Sequence, residues 1–217
     1  MTVLPFGTAA EVAAAIAPCR EHLSRGGLLA YPTETVYGLG SRPLESDVTR
    51  LAVFKGRTRE KPFLLLVSGR VMAESYGLSI TGAANALAEA FWPSPLTLVL
   101  PGGEGRLPGI LRGPEGGIAV RHTSHTGVAR LVKELGFPIT STSANRPGSP
   151  PAPGAAGVTE AFAESVADGT LLVLDGGVLG NVPPSTVVDC TASESRLVRE
   201  GAIPRAELRR RVGRFAP

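Results

Sequence analysis

The chain has 217 residues, 43% of them apolar and 19% charged, with 22 Lys and Arg against 19 Asp and Glu for a net charge of +3. That is enough chain to bury a core without disulfide staples, and no apolar run approaches the roughly 18 residues of a membrane span, so a soluble globular protein is expected. The mild positive balance permits an anionic partner without demanding one.

Thr8 followed by Glu11 forms a capping-box pattern, and Val12, Ile16, Cys19 and Leu23 then recur at helical spacing up to Gly26-Gly27, which predicts a first amphipathic helix with Pro18 inside it. Leu28 to Tyr31 reads as a short strand ending in the loop Thr33 to Gly40, and a helix is expected from Ser46. The alternation continues with a strand at Phe63 to Val67, a helix at Thr81 to Phe91, and strands at Leu96 to Leu100 and Ile118 to Arg121. Val128, Leu131, Val132 and Leu135 line one helix face, and Phe137 to Thr140 leads into a Ser-rich loop at 141–149. Strands at Thr170 to Leu174, Thr186 to Asp189 and Arg196 to Arg199 precede a closing helix after Pro204. Interleaved strands and helices predict one α/β layered domain over 1–217, without internal repeat or linker. The 27 glycines and 19 prolines, scattered between these segments, call for many tight turns.

Five arginines, Arg205, Arg209, Arg210, Arg211 and Arg214, fall in the last 13 residues. They read as a solvated basic helix over 204–217, with a nucleic-acid contact as the alternative. Cys19 and Cys190 have no second cysteine nearby, and the N-terminus lacks a basic leader with a hydrophobic stretch, so a reducing cytoplasm is the expected setting.

The sequence contains neither G-x-x-x-x-G-K-[ST] nor a G-x-G-x-x-G after a strand, so a nucleotide would have to be held by side chains. His122 and His125 make an H-x-x-H with no third ligand at zinc spacing, and they read as loop or helix-cap residues; no metal ligation by protein side chains is expected. No G-x-S-x-G elbow is present. What remains is a set of polar loops at strand ends. Lys55, Arg57, Arg59 and Lys61 put four cations in seven residues before a buried strand, either as a solvated helix end or facing an anion site. Thr140-Ser141-Thr142-Ser143-Ala144-Asn145 supplies hydroxyls and an amide that either turn the backbone or position carboxylate and phosphate oxygens. Pro184-Ser185-Thr186 and Arg199-Glu200-Gly201 repeat the theme, at the strand ends where α/β ligand sites usually lie.

These blocks carry a resemblance. PTETVYGLG at 32–40, KGR at 55–57 with KP at 61–62, FWPSPLTLVL at 91–100, AVR at 119–121, TSAN at 142–145, PSTVVD at 184–189 and REGAI at 199–203 resemble the YrdC family of threonylcarbamoyl-AMP synthases, over about 27–203. The resemblance implies an open, twisted mixed sheet flanked by helices around a basic concave cavity. It implies an enzyme that joins ATP, L-threonine and bicarbonate, with Mg²⁺ on the ATP, into threonylcarbamoyl-adenylate and pyrophosphate, supplying tRNA modification through a downstream threonylcarbamoyl transferase complex. Carried over by position, Lys55, Arg57, Ser143 and Asn145 match the catalytic signature. Thr33, Arg121, Ser141 and Ser185 fall where relatives hold threonine, and Arg57, Lys61, Ser143 and Arg199 where they hold ATP.

The chemistry suits such a set, because a carbamate forms readily and the difficult step is bringing that anion onto a polyanionic nucleotide. Glu34, the obvious carboxylate of the first loop, either accepts the amine proton or serves a turn or ion pair. Three departures stand out: Leu66 where longer relatives carry a threonine-contacting His, Ser94 in place of the Gly of W-P-G-P, and Arg146-Pro147 in place of Leu-Ser. A segment such as 147–157 is a candidate to close over the cavity, and the chain resembles the short form without a further domain. Two other readings are carried: a module binding structured RNA, double-stranded RNA or tRNA, without catalysis, and the carbamoyl transfer of hydrogenase-maturation proteins. A scarcity of aromatics and the lack of acylphosphatase and zinc-finger segments weigh against them.

Overall fold

Helix α1 (Ala9–Ser24) begins as the capping box demands: the Thr8 hydroxyl accepts from the Glu11 N–H at 3.2 Å while the Glu11 carboxylate accepts from the Thr8 N–H at 2.8 Å. It runs through Pro18 and buries Val12, Ala15, Cys19 and Leu23. This computed structural model describes residues 2–56 and 62–212.

Ten strands form one mixed sheet: β1 (Val3–Pro5), β2 (Leu28–Tyr31), β3 (Gly38–Gly40), β4 (Leu64–Leu66), β5 (Leu96–Leu100), β6 (Ile118–Arg121), β7 (Ile139–Ser143), β8 (Leu171–Asp175), β9 (Thr186–Asp189) and β10 (Arg196–Arg199). Their spatial order is β1-β8-β2-β3-β7-β4-β6-β5-β9-β10. The pairs β1/β8, β2/β8, β4/β6 and β5/β9 are parallel and the remaining five antiparallel, so the α/β architecture of the sequence reading is the observed one. The seven further helices are α2 (Glu45–Phe54), α3 (Arg70–Ser75), α4 (Gly82–Phe91), α5 (Thr126–Leu135), α6 (Ala155–Ala161), α7 (Ala163–Ala167) and α8 (Arg205–Val212). No described helix is long and apolar enough to cross a membrane.

Side chains alternate across a strand, so each strand feeds two faces. On one face Leu28, Ala30, Leu65, Leu96, Leu98, Leu100, Val120, Leu171 and Val173 join the larger core with α2, α4, α6, α7 and α8. On the other, Leu29, Tyr31, Leu66, Ile139, Leu172 and Leu174 are covered by α1 and α5. That cover ends part-way across the sheet.

Two elements correct the expected boundaries. Residues 141–143 belong to β7 rather than to a loop, because Gly38 pairs with Ser143 and Leu39 with Thr142 while Ser141 pairs with Leu64. Gly38 allows this approach: a Cβ there would lie 2.8 Å from the Tyr31 ring and 3.1 Å from the Ser141 hydroxyl. The first loop likewise contains β3, whose GLG has too little side chain to show a strand pattern. Residues 155–157 of the expected mobile segment form the start of α6.

Candidate active site

The uncovered half of the second sheet face is the floor of a cavity of about 780 Å³. Alternate residues of successive strands point into it: Thr97 and Val99 from β5, Ala119 and Arg121 from β6, Ser141 and Ser143 from β7, Leu64 from β4, Val187 and Asp189 from β9, and Arg196 and Val198 from β10. Thr33, Thr35 and Val36 of the loop after β2, the 113–117 loop, and Pro184 and Ser185 before β9 form its walls. Among the sequence-derived candidates, Thr33, Arg121, Ser141, Ser143, Ser185 and Arg199 therefore share one cavity although up to 166 positions separate them. Lys55 and Asn145 do not line it. Arg57 and Lys61 lie outside the described residues.

Lys55 is the C-cap of α2 and is buried. Its ammonium donates to the Ser143 carbonyl at 2.9 Å, to the Asn145 carbonyl, and to Asn145 Oδ1 at 3.2 Å. The Ser143 hydroxyl also donates to Asn145 Oδ1. The two signature segments are thus joined, with the lysine fastening the end of β7 to the end of α2. The departure at 146–147 fits this corner. Arg146 Nε donates to the Ala161 carbonyl at 2.8 Å with its guanidinium over the Phe162 ring, and the Pro147 ring lies 3.7 Å from where a Gly56 Cβ would stand.

The Thr33 hydroxyl donates to the Val36 carbonyl at 2.6 Å and accepts from the Thr35 and Val36 N–H groups at 3.2 Å, so it builds the turn as well as the wall. Ser185 is 2.9 Å from the Thr97 hydroxyl, and Arg199 donates to the Ser185 carbonyl from both Nε and Nη2, at 3.2 and 2.8 Å. The PST and REGAI blocks are joined through Thr186, whose hydroxyl accepts from the Gly201 and Ile203 N–H groups at 3.0 Å each and donates to the Ile203 carbonyl at 2.6 Å. Gly201 is required by contact: a Cβ there would lie 2.1 Å from the Pro184 carbonyl oxygen.

Arg121 is 4% exposed and reaches the cavity from β6. Burial lowers its guanidinium pKa from the ordinary range, opposed by the charge of Glu34. Arg199 is lowered by partial burial and then by Arg121, as expected of two cations sharing one hollow. The opposite end is mixed rather than basic: Arg196 lies 3.4 Å from Asp189 and 3.8 Å from Glu115. The basic cavity of the sequence reading is thus confined to the Arg121 and Arg199 end, among the described residues. Sequence reasoning missed Thr35, which accepts from Arg121 Nη1 at 3.4 Å, and this acidic end; Thr35 and Asp189 both stood inside the quoted motifs.

The remaining expectations have clear structural places. His125 is the N-cap of α5, its ring accepting from the Val128 N–H at 3.3 Å, and no group of three metal-ligating side chains occurs among the described residues. Leu66 is fully buried beneath α1 and α5, and the cavity residue of its strand is Leu64. Ser94 needs no left-handed backbone, since no described residue other than glycine has positive φ.

A helix-flanked mixed sheet with an arginine-bearing cavity on its open half defines an α/β protein built around a small-molecule site. The Sua5/YciO/YrdC family model, described as "Telomere recombination", matches residues 21–201, and the chain belongs to that family. A relative from Chromohalobacter salexigens named threonylcarbamoyl-AMP synthase is 38% identical over 85% of this chain and 97% of its own length. One of the same name from Pyrococcus abyssi is 35% identical over 88% of this chain but only 55% of its own, so the chain spans about half of that longer protein. The solved structure of P. abyssi Sua5 complexed with L-threonine is similar over 99% of this chain and 62% of that one, with a TM-score of 0.86 and 32% identity. E. coli YciO, with a TM-score of 0.76 over 92% of this chain and 94% of its own but 24% identity, shares the fold. These relatives favour the synthase reading over the RNA-binding module.

Proposed function

We propose that this chain is a threonylcarbamoyl-AMP synthase, converting ATP, L-threonine and bicarbonate into threonylcarbamoyl-AMP and pyrophosphate. The observation that carries the reading is the convergence of Thr33, Arg121, Ser141, Ser143, Ser185 and Arg199 on one cavity, in a chain whose relatives bear that name. The threonine amine adds to carbon dioxide from bicarbonate, and a proton leaves to give a carbamate. A carbamate oxygen then attacks the α-phosphorus of ATP, the bond from that phosphorus to the bridging oxygen breaks, and pyrophosphate departs with its electron pair.

None of these steps requires a covalent protein nucleophile; they require two anions to be held together in line. Arg121, Thr33, Ser141 and Ser185 hold the amino acid, while Arg199, Ser143, Arg57 and Lys61 hold the nucleotide. Lys55 and Asn145 keep the Ser143 corner in place. Preorganised cations of this kind supply several kcal/mol of transition-state stabilisation, and orientation roughly 7–11 kcal/mol. Mg²⁺ enters as the counter-ion of ATP; Arg196 lies against both Asp189 and Glu115, which fits a cation held mainly by the nucleotide's own phosphates. The adenylate then passes, in a cytoplasmic setting, to a transferase complex that modifies tRNA.

Purified protein should release pyrophosphate only when ATP, L-threonine and bicarbonate are all present. Release indifferent to threonine would refute the proposal. Valine should be a far poorer substrate than serine, because it leaves the partner of the threonine hydroxyl unpaired whereas serine forfeits only a methyl contact worth about 1–3 kcal/mol.

A further inference from the structure

We infer that Glu34 is a positioning residue for Arg121, setting the guanidinium that receives the amino-acid carboxylate; this rests on the synthase reading of the cavity. Glu34 is itself absent from the cavity lining. One of its carboxylate oxygens, Oε2, accepts from the Thr123 hydroxyl, which in turn accepts from the His125 N–H at 3.2 Å, so the carboxylate is clamped to the start of α5. The other, Oε1, is buried, has no hydrogen-bond donor, and lies 3.9 Å from Arg121 Nη1.

That spacing is the core of the argument. At 3.9 Å the carboxylate attracts the guanidinium, and inside a protein that attraction is weakly screened, yet it is too far away to take a hydrogen bond from it. Glu34 therefore compensates the charge of Arg121 without taking a donor from it. Its Nε is buried with no partner, and the Arg121 Nη1 makes one long hydrogen bond, 3.4 Å, to Thr35 of the loop that carries Glu34. Buried charge without a counter-charge is costly, and Arg199 repels Arg121 from the cavity side. Removing the charge of Glu34 thus leaves Arg121 free to move off its position while its donors stay unfilled.

Glu34→Gln separates the two duties of this side chain, because the amide oxygen still accepts from Thr123 while the charge is gone. Threonine binding by calorimetry and pyrophosphate release should both be measured on the full chain. The variant should raise the threonine Kd and KM about ten-fold with kcat within about two-fold, since Arg121 acts on substrate and transition state alike. In an Arg121→Lys background the same change should have almost no further effect on threonine binding. An unchanged threonine constant, with or without a lowered Tm, would overturn the inference, and so would tighter binding, which would mean that Glu34 merely subtracts charge from the site. Failure of the wild-type chain to bind threonine would overturn the synthase reading itself, an outcome distinct from wild-type binding that Glu34→Gln leaves intact.

Discussion

The two halves of one sheet face obey the same alternation and end in opposite uses. A single cross-strand row shows it: Ile139 pairs with Leu66, Leu66 with Arg121, Arg121 with Thr97, and Thr97 with Val187. The first two are core residues beneath α1 and α5, and the last three face the cavity. Backbone geometry is continuous across the boundary between Leu66 and Arg121. What changes is the cover and the residue type, so the site arises where the helical layer stops and polar side chains occupy positions that leucines hold elsewhere.

The contrast breaks first at Lys55. If the corner it fastens is essential to the open half, Lys55→Ala should reduce pyrophosphate release by about 10²-fold or more while circular dichroism stays native. Activity within a few-fold of wild type would separate the corner from the chemistry. On the covered half the cost should appear in stability instead. Leu131→Ala in α5, fully buried under the sheet, should lower unfolding free energy by about 2–5 kcal/mol with the threonine KM unchanged. A shifted KM would show that the two halves are not independent.

The smallest effect lies at the seam. Burial lowers the His125 pKa below its ordinary value, with Glu34 opposing. The unfolded chain therefore takes up the proton first, so this group's contribution is complete above about pH 6.5 and is lost as pH falls through the lower folded value. His125→Asn keeps an N-cap acceptor and should flatten the fall in stability as pH drops below about 6.5, read from denaturant midpoints. An unchanged slope would remove His125 from the account.

Much of the covered half was legible in the sequence, because hydrophobic period and caps are local signals: Thr8 with Glu11, the Val128 to Leu135 stripe and the strand at 28–31 stand where they were read. The open half was legible only as motifs. Nothing local distinguishes Ser141 in a strand from Ser141 in a loop; its pairing with Leu64 lies 77 positions away. The short β1 and β3, with three residues each, and α3, α6 and α7 carry too few residues to show a period. The Glu34 and Thr123 contact joins two loops that only the fold brings together.

Thr186 carries a consequence for anyone reshaping this protein. Its hydroxyl touches no wall of the cavity, yet its three hydrogen bonds set how far the segment after Arg199 stands from the strand that follows Ser185. One oxygen atom hidden outside the cavity thus helps to hold its Ser185 and Arg199 wall in place, and libraries aimed at bulkier amino acids should include position 186 alongside the residues the amino acid would meet.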